Sequence, residues 1–316
     1  MTAVILAAGK STRMKSRRSK VLHPIFGRPM IRYVMDAARA AGVTRLLIVI
    51  GYEGEAVKEA LAGEPDVEFV WQHDPQGTGH AVMMCEEQLK SQTGQTLVLA
   101  GDTPLLSSES LKQLIDDQAT HSAACVIGSA VTENNFGLGR IVRDESGNFL
   151  KIVEQKDTTP EEAEIKEINT GCYIFETQEL LASLGKIDKS NSQGELYLTD
   201  CPAVLLGEGK SVAASACFTI EEAMGVNTRQ HLAEVRAVLH QRGLEQLMAE
   251  GVGIVNPAQV DIDPRATIGR DTLIHPFTVI EGETTIGENC EIGPHAVIRD
   301  VNVADGETVE PFTNLS

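Results

Sequence analysis

Six basic side chains, Lys10, Arg13, Lys15, Arg17, Arg18 and Lys20, crowd residues 10–20 with no acid among them. They follow the apolar run "VILAAG" directly. Convergent main-chain N–H groups at Ala8, Gly9 and Lys10, joined by the Arg13 and Lys20 side chains, would cradle a polyanion such as a phosphate chain. The same charges would also suit a solvated basic helix end. "GKS" invites a P-loop reading, but G-x-x-x-x-G-K-S requires glycine where Val4 stands, and no G-x-G-x-x-G occurs. Two other places carry chemistry-bearing types. Asp102 ends the apolar run "TLVLAGD" shortly before Pro104, as a metal-binding carboxylate or as a turn or cap residue. Gln72, Gly77 and Thr78 in "QHDPQGTGHA" offer an amide, a flexible backbone and a hydroxyl, or simply a loop that starts a helix.

The local cations contrast with the whole. The chain has 316 residues with 45 acids against 27 bases, a formal charge of −18, which argues against a general nucleic-acid or anionic-membrane surface. Screening over about 8 Å at physiological salt still leaves a basic loop free to collect an anion. "VILAA" is stopped by Gly9 and Lys10, unlike a signal peptide, and no apolar run approaches the roughly 20 residues that span a bilayer. Six scattered cysteines without a C-x-x-C pair read as reduced, buried thiols in a cytoplasmic protein. The length favours two domains.

Elements that could hold these residues alternate through the first two thirds. "AVILA", "RLLIVIG", "VEFVWQ" and "TLVLAGD" read as buried strands. "MIRYVMDAARAAG", "GEAVKEALAG", "GHAVMMCEEQLK" and "SSESLKQLIDDQATH" read as helices, the last capped by Ser107 or Ser108. This alternation predicts an α/β fold with a mostly parallel sheet covered on both faces and ligands at the carboxyl ends of its strands. The loops after Ala7, Gln72 and Ala100 are therefore where chemistry belongs. Residues 123–175 are richer in turn signals and predict a strand-based subdomain over that edge. A helix over residues 229–250, with Leu232, Val235, Leu239 and Leu247 on one face, reads as a connector.

Beyond Gly251 isoleucine recurs every six residues, at 262, 268, 274, 280, 286, 292 and 298. That period predicts a β-helix of triangular coils with each isoleucine pointing inward. The register then drifts at Val303 and Val309. A stub of about three coils should be covered, for instance by a partner subunit.

Taken in order, "LAAGKSTRM", "KVLHPIFGRPMI", "QHDPQGTGHA", "AGDTPLL", "GLGRIV", "IVEQKD", "EINTGCYIF", "GELYLTD" and "GVNTR" resemble the sugar-1-phosphate nucleotidyltransferases. Within them the set is similar to the N-acetylglucosamine-1-phosphate uridyltransferase family, and the hexapeptide tail falls where that family begins a left-handed parallel β-helix. The resemblance implies a Rossmann-like nucleotidyltransferase domain over 1–228, a connecting helix over 229–250 and a short left-handed β-helix over 251–316. It implies attack of a sugar-1-phosphate on UTP, with Arg13 gripping the pyrophosphate and Lys20 the α-phosphate region. Asp102 and Asn227 would hold Mg²⁺. Ala8 and Gly9 would lie at the nucleotide, and Gln72, Gly77 and Thr78 would read uracil. Gly139, Glu154, Asn169 and Thr199 would hold the sugar. The sugar phosphate is its own nucleophile, so His23, His73, His80 and His275 are expected to be structural or surface residues.

Ala100 and Leu138 stand where the family usually carries larger residues, which opens the sugar's identity to alternatives such as glucose-1-phosphate. A non-catalytic nucleotide-sugar-binding scaffold is a second alternative. The bifunctional members build an acetyl-coenzyme A site on later coils, so acetyltransferase activity is expected to be absent. Association into a trimer through the β-helix is the expected partner interaction, with neither nucleic acid nor membrane.

Overall fold

The computed structural model of the chain describes residues 1–10 and 12–316. They form two compact units, Met1–His23 with Pro29–Thr228, and Pro24–Arg28 with Arg229–Ser316.

The first unit is built on one nine-stranded sheet. Its strands are β1 (Thr2–Ala7), β2 (Arg45–Ile50), β3 (Val67–Trp71), β4 (Gln95–Ala100), β5 (Cys125–Val131), β6 (Arg140–Arg143), β7 (Phe149–Val153), β8 (Glu167–Glu176) and β9 (Val212–Ser215). The order across the sheet is β9-β5-β8-β4-β1-β2-β3, with β6 and β7 branching from β8. β1 runs parallel to β2 and β4, while β8 runs antiparallel to both β4 and β5.

Burial on both faces explains why these strands are continuous apolar runs rather than alternating ones. Ala3, Ile5 and Ala7 of β1 join Leu46, Ile48 and Ile50 on one face, under helices Met30–Ala40 and Ser108–His121. Val4 joins Leu47, Val49 and Val98 on the other, under Val82, Cys85, Leu180 and Leu205. At about 25 cal/mol per Å² of apolar area, this double layer supplies most of the unit's stabilisation.

Two expectations for this unit need correction. The helix anticipated from Gly79 onward divides into Thr78–Met83 and Glu86–Leu89. Residues 123–175 do not form a separate layer, because β5 and β8 lie inside the main sheet and only the β6–β7 hairpin branches off. The turn signals there mark hairpin connections, whereas the apolar content of "CVIGSAV" and "GCYIF" fits burial on both faces. Ser107 caps helix Ser108–His121 as expected, its side chain accepting from the Ser110 N–H at 3.1 Å.

In the second unit, helix Arg229–Ala249 buries Val235, Leu244 and Leu247. Leu232 and Leu239 are only half-buried, so the buried face departs from the one expected. Nine residues make two and a half turns, so Val235 faces nearly opposite to Leu244, whereas Leu244 and Leu247, three apart, share a side and pack into the β-helix core. Three parallel sheets follow, stacking Ile262 on Ile280, Ile268 on Ile286 and Ile274 on Ile292. This is the β-helix that the six-residue period foretold, short and left-handed as the resemblance implied. The apparent drift is one missing residue between Ile298 and Val303, taken up at a corner. Stacking resumes as Ile286 on Val303, Ile292 on Val309 and Ile298 on Leu315. Residues 24–28 belong to this unit: the Phe26 carbonyl accepts from Arg265 at 3.0 Å, and the Arg236 guanidinium lies 4.3 Å from the Phe26 ring centroid.

Candidate active site

The sheet order reverses at β1. From there the chain moves outward through β2 and β3 and then returns to place β4 on the other side of β1. Leu6 of β1 pairs with Ala100 of β4, so the two strands end side by side and their following loops diverge. Such a switch point opens a crevice at the carboxyl ends of a parallel sheet. A cleft of about 320 Å³ lies there, lined by Ala8, Gly9, Lys20, Gln72, Gly77, Thr78, Ala100, Asp102 and Glu195 among others. Every residue proposed for the nucleotide is thus on one surface.

Beside Lys20 and Asp102 of this lining three distant segments meet. The Lys20 ammonium forms an ion pair with Asp102 and donates to Asn227 Oδ1 at 3.1 Å. Arg13 donates to the same Asn227 oxygen at 2.9 Å. The main chain secures the pairing, since the Val226 N–H donates to the Asp102 carbonyl at 2.9 Å. Asp102 and Asn227 therefore offer two oxygens converging on one cation, here the Lys20 ammonium. Lys10, Lys15, Arg17 and Arg18 are exposed, as is Arg13, so Arg13 and Lys20 are set apart by their shared bond to Asn227 rather than by burial.

The donor set can be tested against a metal. Among the described residues no group of three or more His, Cys, Asp or Glu side chains is placed to enclose one. One carboxylate and one amide oxygen converging where a cation already sits fit a small divalent ion that keeps several waters and takes its other ligands from phosphate. They do not fit a protein-enclosed structural metal.

Gly9 lines the cleft, and among the described residues a Cβ there would meet no atom within 4 Å beyond its chain neighbours. Gly77 is the opposite case: its φ is +113°, and a Cβ would fall 2.3 Å from the Leu196 carbonyl oxygen. Only glycine lets the 76–79 loop lie against residue 196, where Gly79 N–H donates to Leu196 O at 2.8 Å and Leu196 N–H to Gln76 O at 2.8 Å. The Thr78 hydroxyl accepts from the Leu198 N–H at 3.1 Å. Thr78 is therefore committed to holding this loop as well as lining the cleft.

A second hollow of about 320 Å³ is lined by Glu154, Asp157, Tyr197, Thr199 and Asp200 among others. Burial pushes the Glu154 carboxyl above its ordinary range against a hydrogen bond from Thr199, with Asp157 and Asp200 adding to the rise. Burial likewise raises Asp200. Gly139 lies beside this group, its Cβ position 3.6 Å from Glu154 Oε1 and 3.6 Å from the Asn169 Cβ. All four residues proposed for the sugar are thus neighbours. Asn169 sits where the β8 ladder shifts register, its amide donating to the Tyr173 hydroxyl at 2.6 Å and its Oδ1 accepting from Gly171 N–H at 3.1 Å. With three carboxylates among its lining residues, this hollow suits hydroxyl donors better than phosphate.

Sequence reasoning missed two residues at the cleft, Glu195 and His80, and one bonded carboxylate elsewhere in the unit, Glu222. Glu195 lines the cleft, within a motif from which only Thr199 was singled out. His80 bonds the Gln72 amide, Nε2 to Nδ1 at 3.0 Å; its only signal was the eight-residue spacing in "QHDPQGTGH". Glu222 had no signal at all. Its carboxylate accepts from Ser107 N–H at 3.0 Å, Thr219 N–H at 2.8 Å and the Ser110 hydroxyl at 3.1 Å. Burial opposes its charge, yet these bonds outweigh burial and hold its carboxyl below the ordinary range.

The six cysteines are free thiols, and burial pushes Cys85, Cys172 and Cys201 up to about 12. Among the described residues no helix is long and apolar enough to cross a membrane.

Comparison with known proteins agrees with this geometry. The model of the MobA-like NTP transferase domain matches residues 3–254, and that of the bacterial transferase hexapeptide (six repeats) matches residues 265–300. The bifunctional protein GlmU of Exiguobacterium sibiricum is 46% identical over 307 residues, covering 97% of this chain and 68% of its own length. That of Exiguobacterium sp. AT1b is 44% identical, covering 99% and 72%, and that of Geobacillus sp. WCH70 is 44% identical, covering 97% and 66%. The chain spans about two thirds of the length of these relatives. With a cleft at the switch point of its sheet, a hexapeptide β-helix and this identity along nearly its whole length, the chain belongs to the MobA-like NTP transferases and, among them, to the family of the GlmU proteins.

Proposed function

We propose that the protein is a Mg²⁺-dependent uridyltransferase that joins UTP and N-acetylglucosamine-1-phosphate into UDP-N-acetylglucosamine and pyrophosphate. The observation that carries this reading is the meeting of Arg13, Lys20, Asp102 and Asn227 at the mouth of the β1 and β4 strands. A phosphate oxygen of the sugar phosphate attacks the α-phosphorus of UTP. The bond from that phosphorus to the bridging oxygen breaks, and the electron pair leaves with pyrophosphate. No proton need move, so positioning and charge neutralisation are the main catalytic tasks.

Arg13 and Lys20 answer both. Their charges stabilise the anionic leaving group and the crowded α-phosphate, where repulsion between two polyanions would otherwise hold the reactants apart. Asp102 and Asn227 would hold Mg²⁺, which when bound supplies further neutralisation of the phosphate oxygens. Gln72, Gly77 and Thr78 would face the base, and Ala8 and Gly9 the nucleotide backbone. Glu154, Thr199, Asn169 and Gly139 would face the sugar hydroxyls and acetamide. The names of the relatives, which describe bifunctional GlmU proteins, support the same assignment.

Ala100 lines the cleft with a small side chain, which favours testing other sugar phosphates beside this one. Association through the faces of the β-helix is part of the proposal and is checked by mass in solution. The central test is pyrophosphate release with UTP across a panel of sugar-1-phosphates. The expected outcome is the highest kcat/KM with N-acetylglucosamine-1-phosphate. Preference for glucose-1-phosphate would replace the substrate, and tight binding of UDP-N-acetylglucosamine without turnover would replace the enzyme by a binding protein.

A further inference from the structure

The Gln72 side chain is buried, at 4% exposure, yet lines the nucleotide cleft. Its Nε2 lies 3.2 Å from the Gly77 carbonyl oxygen and 3.0 Å from His80 Nδ1. A carbonyl oxygen only accepts, so it admits the NH₂ end of the amide and repels Oε1. With the amide held that way, His80 Nδ1 must present a lone pair, and the imidazole carries its proton on Nε2. Both amide protons then have partners, and Oε1 is the group that Gln72 has left for a ligand.

We propose that His80 is a positioning residue for base selection: its Nδ1 lone pair locks the Gln72 amide so that Oε1 faces the base, accepting from a pyrimidine N3–H and rejecting a bare N3 lone pair. This rests on the reading of the cleft as a uridine-nucleotide site. Uracil donates at N3, whereas cytosine presents a lone pair there, so cytosine would set two acceptors against each other in a buried place. Replacing either amide partner with a donor would favour the reversed amide and invert the preference. Burial, and then the charge of Lys189, keep the imidazole below its ordinary pKa, while Asp74 pulls the other way. The neutral imidazole that the lock requires is therefore the form present at neutral pH.

The experiment compares kcat/KM for UTP and for CTP, with N-acetylglucosamine-1-phosphate as acceptor, in the wild-type protein and two variants. His80→Asn keeps an acceptor near the Nδ1 position and should hold the ratio. His80→Leu removes it and should lower the ratio about tenfold, with the KM for the sugar phosphate unchanged. A purely structural His80 would slow both nucleotides alike, and an unchanged ratio in the Leu variant overturns the proposal. ¹⁵N spectra of histidine-labelled wild-type protein read the tautomer directly, whether or not a variant folds. A proton on His80 Nδ1 overturns the lock, and a proton on Nε2 supports it. If the wild-type protein uses neither nucleotide, the uridyltransferase reading fails, and the tautomer still decides the lock.

Discussion

The Lys20 ammonium donates to Asn227 Oδ1 at 3.1 Å although 207 positions of chain separate the two residues. Asp102 shares the same ammonium, so one cation ties together the loop after β1, the loop after β4 and the segment after β9. The arrangement puts opposite charges within contact before any phosphate arrives. On the proposed reading, a triphosphate entering the cleft would take over Lys20 and free the two oxygens for Mg²⁺.

Lys20→Ala should lower kcat/KM by about 10²- to 10³-fold, because it removes a charge aimed at phosphate oxygens. Circular dichroism should stay unchanged, since the ammonium lies at the cleft rather than in either core layer. Steady-state kinetics that show less than a threefold loss would remove Lys20 from the mechanism.

Chelation of divalent ions should abolish turnover, with Mg²⁺ restoring it. Asp102→Ala should shift half-saturation by Mg²⁺ upward on the order of tenfold or more, by loss of one of two protein oxygens. Titrating activity against Mg²⁺ checks this. Identical curves for the two proteins would mean that the metal sits elsewhere.

Glu154→Gln should raise the KM for the sugar phosphate roughly tenfold while the KM for UTP holds. The carboxylate lies in the hollow with Asp157 and Asp200 and is hydrogen-bonded to Thr199, and neither Arg13 nor Lys20 lines that hollow. Equal effects on both substrates would contradict the division of the ligand between the two hollows.

Glu222 predicts a pH dependence of stability. Its folded carboxyl lies below the ordinary range, so its contribution is present above the unfolded pKa of about 4.5 and is lost as pH falls through the folded value. Glu222→Gln should cost about 2 kcal/mol at neutral pH. Urea midpoints at pH 7 and below pH 4 measure the effect, and the two proteins should converge at the lower pH.

The alternation of strand and helix, the capped helix after Ser107 and the stacked isoleucines were all legible in the sequence, since each follows from local periodicity or a single cap. The basic run at residues 10–20 was equally visible. That Arg13 and Lys20 meet one residue was not a local property: both were singled out for a phosphate cradle, with their separate roles implied by resemblance, and the structure finds both on Asn227. Glu222 left no trace because its three partner residues, Ser107, Ser110 and Thr219, include two that lie over a hundred positions away. The position of β8 inside the main sheet escaped for a similar reason, as antiparallel insertion depends on neighbours chosen by packing.

Sequence alone therefore determined most of the alternation of strand and helix and the coils of the repeat, because side-chain period and turn chemistry act over a few residues. Tertiary structure alone decided that Asp102 and Asn227 meet one ammonium and that the Gln72 amide has a fixed sense. Those outcomes depend on where β1 and β4 end relative to each other and on what lies within 3 Å of a buried polar atom, and no local pattern encodes either.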